Sequence, residues 1–123
     1  NKSIISSFID CGIKNKKINL YDGGKSLRDY VNVKDITKVI DIIITKKIFK
    51  TLNIATGKSF SIKSLIKKIE KQLNKKIKIK NILTRHTQFD MKFDNRSLNK
   101  IIPKFQFISI EKGIKELIDY KKI

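Results

Sequence analysis

The chain has 123 residues, enough for one small domain that hides roughly two-thirds of its unfolded surface without disulfides or metal, and too few for a multidomain machine. Its 29 basic against 11 acidic side chains leave a net charge of +18, and the basic set is 26 Lys to 3 Arg, beside 25 Ile. A polyanion-binding surface would use such charge, but Lys and Ile also carry AT-rich codons, so charge alone decides no partner.

In chain order, Ile4, Ile5, Phe8, Ile9 and Ile13 recur at helical spacing and predict a helix over Ser3 to Lys14, closed by the turn-prone Asn15. Ile18 to Tyr21 reads as a short strand ended by Asp22, Gly23 and Gly24, and Tyr30 to Val33 as a second β-rich run. Asp35 is a candidate N-cap for a helix from Ile36 to about Lys47 whose stripe is Ile36, Val39, Ile40 and Ile43. Ile42 and Ile44 widen that stripe until the helix is apolar on most sides, as expected of a helix covered by a partner domain that this chain does not contain.

Leu52 to Ala55 reads as a strand stopped at Gly57, after which Ser61 caps a helix bearing Ile62, Leu65, Ile66, Ile69 and Leu73. Lys63, Lys67, Lys68 and Lys71 form the solvated side of that helix. Lys76 to Lys80 alternates Lys with Ile, the pattern of a half-exposed strand, and Phe89 to Phe93 offers another. Asp94 can cap a brief helix ended by Pro103, and Ser109 a last helix with Ile110, Ile114, Leu117 and Ile118 turned inward. Short strands mixed with four to five helices make an α/β class.

Few groups here carry chemistry by themselves. His86 is the lone histidine and Cys11 the lone thiol, too few for a metal cluster or a disulfide framework, and a single thiol fits a reducing compartment. No apolar run approaches the ~20 residues of a membrane span, since Asp41 interrupts Val39 to Ile44. Gly23 and Gly24 are adjacent and belong to neither phosphate-binding glycine pattern. Tyr21 with Lys25, and Tyr30 with Lys34, match Tyr-x-x-x-Lys by spacing, but that pair needs a helix and both tyrosines fall in strand or turn. Phe8, Phe49, Phe60, Phe105 and Phe107 sit among aliphatics and read as core rather than as base-stacking platforms. Asn1 stands where an initiator Met would, and no signal peptide follows, so the chain is expected to be a piece of something longer.

Tyr21-Asp22-Gly23-Gly24, then Arg28-Asp29-Tyr30-Val31-Asn32-Val33-Lys34-Asp35, resembles the C-terminal half of the extended short-chain dehydrogenase/reductase family, the nucleotide-sugar epimerases and dehydratases. Leu52-Asn53-Ile54-Ala55-Thr56-Gly57 with Ser61-Ile62 follows in register, and then Arg85, Asp94 with Ser97, Pro103, and Ser109-Ile110-Glu111-Lys112-Gly113-Ile114. The likeness spans nearly the whole chain, so residues 1–123 read as the nucleotide-sugar-binding region of a longer enzyme.

The resemblance implies that the Rossmann portion, with its cofactor loop and catalytic Tyr and Lys, lies upstream, and that the parent enzyme uses NAD or NADP while this region holds none. It implies that Arg28 and Arg85 grip the diphosphate of a nucleotide sugar, a task for which a planar guanidinium is better shaped than an ammonium. Two of only three arginines fall at those positions in a chain that otherwise uses Lys. The alternative for Arg28 is a surface ion pair with Asp29 or Asp35. Tyr21 and Asn19 match the strand that packs on the nucleotide base. Gln88 stands where the family often has Asp, and Asp22 where Gly is commoner in the first turn. Asp29 and Asp35 are expected to brace the turn and cap the helix. With the resemblance come a cytoplasmic location, a homodimeric whole enzyme, no membrane and no catalytic residue in this stretch. The rival reading is a small basic nucleic-acid-binding module.

Overall fold

A computed structural model describes residues 3–85 and 88–122; His86 lies outside them. Helix α1 (Ile4–Ile13) starts where Ser3 accepts the Ser6 amide on its hydroxyl, and β1 (Ile18–Tyr21) follows. A single 3-10 turn, Asp22–Gly24, leads to β2 (Leu27–Asp29), then α2 (Val33–Thr45), β3 (Ser59–Ser61) and α3 (Ile62–Leu73). The chain closes with β4 (Ile79–Ile82), α4 (Arg96–Ile101) and α5 (Ile110–Lys122).

Two small sheets organise these elements. β1 pairs in parallel with β4, Ile18 opposite Ile79 and Tyr21 opposite Ile82, and β2 pairs antiparallel with β3, Arg28 opposite Phe60. The alternation of β1 turns Ile18 and Leu20 inward, where they meet Phe8 and Ile9 of α1, Leu65, Ile66 and Ile69 of α3, and Ile114 and Ile118 of α5. Each such side chain contributes roughly 1.5–3 kcal/mol by leaving water. Gly24 has φ +65°, and a Cβ there would come within 2.5 Å of Leu20 and 3.0 Å of the Lys63 amide nitrogen, so the turn after β1 needs glycine for both reasons.

A second apolar cluster joins Val39 of α2 to Leu98 and Ile102, with Leu52, Ile54, Phe105 and Phe107 packed around them. Ser61 caps α3 and Ser109 caps α5 as their sequences predict. Several expectations are corrected. Residues 30–32 form no strand; the ladder partner of β3 is Leu27–Asp29, and α2 begins at Val33. Its N-cap is Asn32, whose Oδ1 accepts the Lys34 amide, while Asp35 is fully buried in the first turn and accepts the Ile108 amide at 2.7 Å. Leu52–Ala55 is extended but unladdered: the Asn95 and Asn53 side-chain amides hold it, donating to the Ala55 and Asp94 carbonyls. Phe89–Phe93 joins no ladder as a strand either, although Met91 donates its amide to the Leu27 carbonyl. The alternating Lys-Ile strand starts at Ile79, because the Ile77 amide is claimed by Glu70 at the end of α3. Phe49, read as core, is 91% exposed, since it follows α2 in an irregular segment with nothing packed on it.

The excess of apolar residues on α2 has a structural counterpart. Val39 is sealed in the second cluster, whereas Val33, Ile40 and Ile44 are 69%, 45% and 70% exposed along another stripe of the same helix. Among the described residues no helix is long and apolar enough to cross a membrane, and no three potential metal ligands gather.

Candidate functional site

The residues singled out from the sequence fall around the C-terminal ends of β1 and β4. The alternation of β1 puts Asn19 and Tyr21 on its exposed face, and Tyr21 is 47% exposed. Because Tyr21 pairs with Ile82, the chain leaving β4 emerges beside the turn leaving β1. Asp22 fastens the two: its Oδ1 accepts the Thr84 amide at 2.8 Å and its Oδ2 accepts the Thr84 hydroxyl at 2.6 Å. These hydrogen bonds hold the Asp22 carboxyl below the usual carboxylate range.

Farther along, the same segment runs against β2. Asp90 accepts the Leu27 amide at 2.9 Å, and Met91 returns a backbone bond to the Leu27 carbonyl at 2.8 Å. Arg28 is half-buried, and its Nη1 donates to the carbonyls of Leu27 at 2.8 Å and Phe89 at 2.6 Å. Its Nη2 and Nε hydrogen-bond to no described residue, so the protein pins the guanidinium through one nitrogen.

The ion-pair alternative for Arg28 is not what forms. Asp29 spends its carboxylate on the Thr56 amide and hydroxyl and on the Gly57 amide, at 3.2, 2.7 and 2.9 Å, and Asp35 spends its own on Ile108. Both carboxylates brace backbone, as expected of them, although Asp35 does so from inside α2 rather than as its cap.

Arg85 is exposed and directly follows Thr84, which reaches Asp22. It lies four positions before Phe89, whose carbonyl Arg28 holds, so at most about 14 Å separates the Arg85 and Phe89 backbones. Arg28 is thereby tied to the segment that carries Arg85 and Gln88, and Tyr21 and Asn19 lie on the strand that Asp22 fastens to the start of that segment. Sequence reasoning passed over Asp90 and noted Asp22 only as a side chain in a position that favours glycine.

Clefts of about 570, 550 and 530 Å³ are lined by residues other than these, the first by Ile5, Tyr30, Val33, Leu117 and Tyr120 among others, between α1, α5 and the start of α2. The Tyr30 hydroxyl is sealed from solvent without a hydrogen-bond partner, and burial raises its pKa. Gly23 and Gly24, at φ +69° and +65°, lead from β1 to β2 rather than from a strand into a helix, although the first turn of α3 packs on Gly24 through the Lys63 amide.

The family model described as GDP-mannose 4,6 dehydratase matches residues 1–118. The fold is similar to that of dTDP-glucose 4,6-dehydratase from Bacillus anthracis in complex with NAD, with TM-score 0.83 and 19% identity over 98% of this chain and 39% of that one. It is similar to UDP-N-acetylglucosamine 4-epimerase from Methanobrevibacter ruminantium in complex with UDP-N-acetylmuramic acid, with TM-score 0.84 and 24% identity over 98% and 39%. It is similar again to UDP-glucose 4-epimerase from Thermotoga maritima with UDP-glucose, at TM-score 0.76 and 19% identity over 98% and 39%. Among curated proteins none matches. The chain therefore spans 39% of the length of each of these three structures, corresponding to their C-terminal part. With more than half of its residues matched by one family model, the chain belongs to the GDP-mannose 4,6 dehydratase family, within the extended short-chain dehydrogenases/reductases.

Proposed function

We propose that this region holds the diphosphate and base of a nucleotide sugar for an NAD(P)-dependent epimerase or dehydratase. The observation that carries it is the state of Arg28: two backbone carbonyls fix one nitrogen, and among the described residues no carboxylate pairs with it and none engages its Nη2 or Nε. Two guanidinium groups suit a pyrophosphate, whose paired oxygens accept planar, bidentate donors, and Arg28 is held to the segment that carries Arg85. Tyr21 and Asn19 supply flat and polar surface for the base, and Gln88 an amide that can donate or accept.

In this reading NAD or NADP is held by another part of the protein and supplies transient oxidation of the sugar. The residues described here bind and orient; they do not move the proton or hydride, and the region by itself is inactive. The reading carries with it a cytoplasmic location, suited to the single thiol of Cys11, and a homodimeric whole enzyme.

Calorimetry of the intact protein with UDP-, GDP-, CDP- and dTDP-sugars tests it. Arg28→Lys and Arg85→Lys are each expected to weaken binding about tenfold or more, since an ammonium replaces a fork. Wild-type affinity in both variants would sink the assignment. A steep loss of DNA or RNA binding with rising salt would instead favour a nucleic-acid module.

A further inference from the structure

Asp22 adopts φ +49°, a left-handed backbone that glycine takes freely and other residues rarely. Its carboxylate nevertheless receives both donors of Thr84, amide and hydroxyl. Thr84 directly precedes Arg85 in the chain, and neither bond involves the arginine itself. From this geometry, resting on the function proposed above, we infer that Asp22 is a positioning residue: by clamping Thr84 it fixes where Arg85 presents its guanidinium to the diphosphate. A backbone conformation that disfavours a side chain is tolerated because that side chain organises the anion site.

Two substitutions separate this role from a plain turn. Gly and Asn both suit a left-handed position, so Asp22→Gly and Asp22→Asn keep the turn, but Gly removes every acceptor and Asn keeps one oxygen. In the intact protein, with affinity read by calorimetry for the tightest binder among GDP, UDP, dTDP and CDP, Asp22→Gly is expected to weaken binding about tenfold and Asp22→Asn less. On an Arg85→Ala background the further loss from Asp22→Gly shrinks to less than about twofold, because the two residues act as one unit. Hydrogen exchange at the Thr84 amide, read without ligand, is expected to accelerate in Asp22→Gly.

Equal affinity in wild type, Asp22→Gly and Asp22→Asn, with Arg85→Ala still weakening binding, overturns the positioning role and leaves the diphosphate site standing. Full additivity with Arg85→Ala, or an unchanged Thr84 amide, overturns it too. If Arg28→Ala and Arg85→Ala both bind like wild type, the site reading itself fails and this inference falls with it.

Discussion

Arg28 Nη1 lies 2.6 Å from the carbonyl oxygen of Phe89, a bond that ties β2 to the segment running from Arg85 toward α4. The same nitrogen also reaches the Leu27 carbonyl, so the side chain is braced across two pieces of backbone before any ligand arrives. Preorganisation of this kind favours anion binding because the ordering entropy is already spent. Arg28→Ala should therefore lower stability as well as affinity, by about 0.5–1.5 kcal/mol for the lost bonds. Urea unfolding of the variant checks the first effect; a midpoint equal to wild type would mean that the brace contributes nothing.

Asp35 is fully buried, accepts the Ile108 amide at 2.7 Å with Oδ2, and has no partner for Oδ1. It links the first turn of α2 to the approach of α5. Asp35→Ala strands the Ile108 donor and should cost about 1–3 kcal/mol. Asp35→Asn keeps an acceptor and should cost less, with the urea slope unchanged in both. A larger loss in the Asn variant would contradict this account of the bond.

Asp94 pairs with Arg96, Oδ2 to Nη2 at 2.6 Å and Oδ1 to the Arg96 amide at 2.9 Å, and these bonds bring its pKa down to about 2. A folded pKa below the unfolded value of about 3.9 means a contribution present at neutral pH and lost as pH falls from there through about 2. The pair is exposed and screened, so the expected stability effect is small. The direct check is an NMR titration of the Asp94 carboxyl, which Arg96→Ala should return toward 3.8.

The two apolar sides of α2 should answer differently to substitution. Leu98, fully buried against Val39, should cost about 2–5 kcal/mol when cut to Ala. Ile44→Lys and Val33→Lys, on the exposed stripe, should change the stability of this region by no more than about 0.5 kcal/mol. Thermal unfolding of the three variants distinguishes them, and a large loss from Ile44→Lys would show that its stripe is covered.

Helices α1, α3 and α5 were legible from apolar residues at helical spacing, joined in α3 and α5 by a Ser cap, and both signals are local. β1 was legible as a short run ended by Asp22, Gly23 and Gly24. The start of α2 was misread: Asn32 and Asp35 are both competent caps, and the choice depends on whether Asp35 has a buried donor to satisfy, which only Ile108, seventy-three residues away, supplies. Leu52–Ala55 and Phe89–Phe93 have strand-like composition, yet a strand also needs a neighbouring edge, and no local pattern reveals whether one is at hand. Of the site, rarity picked out Arg28 and Arg85, since arginine stands out in a lysine-rich chain. Asp22 stood out as a side chain in a glycine position, but its partner Thr84, like the bracing of Arg28 by Phe89, had no sequence signal because each bond joins residues more than sixty apart.

Periodicity, capping residues and turn chemistry act within a few residues, and they were enough to establish an α/β chain and helices α1, α3 and α5, while the order of its motifs carried the resemblance to its family. Which carboxylate braces which loop, which segments find a ladder, and what braces Arg28 were decided only when distant parts of the chain met. Those choices are set by burial and by the need of each buried donor or acceptor for a partner, and neither exists until the core has closed.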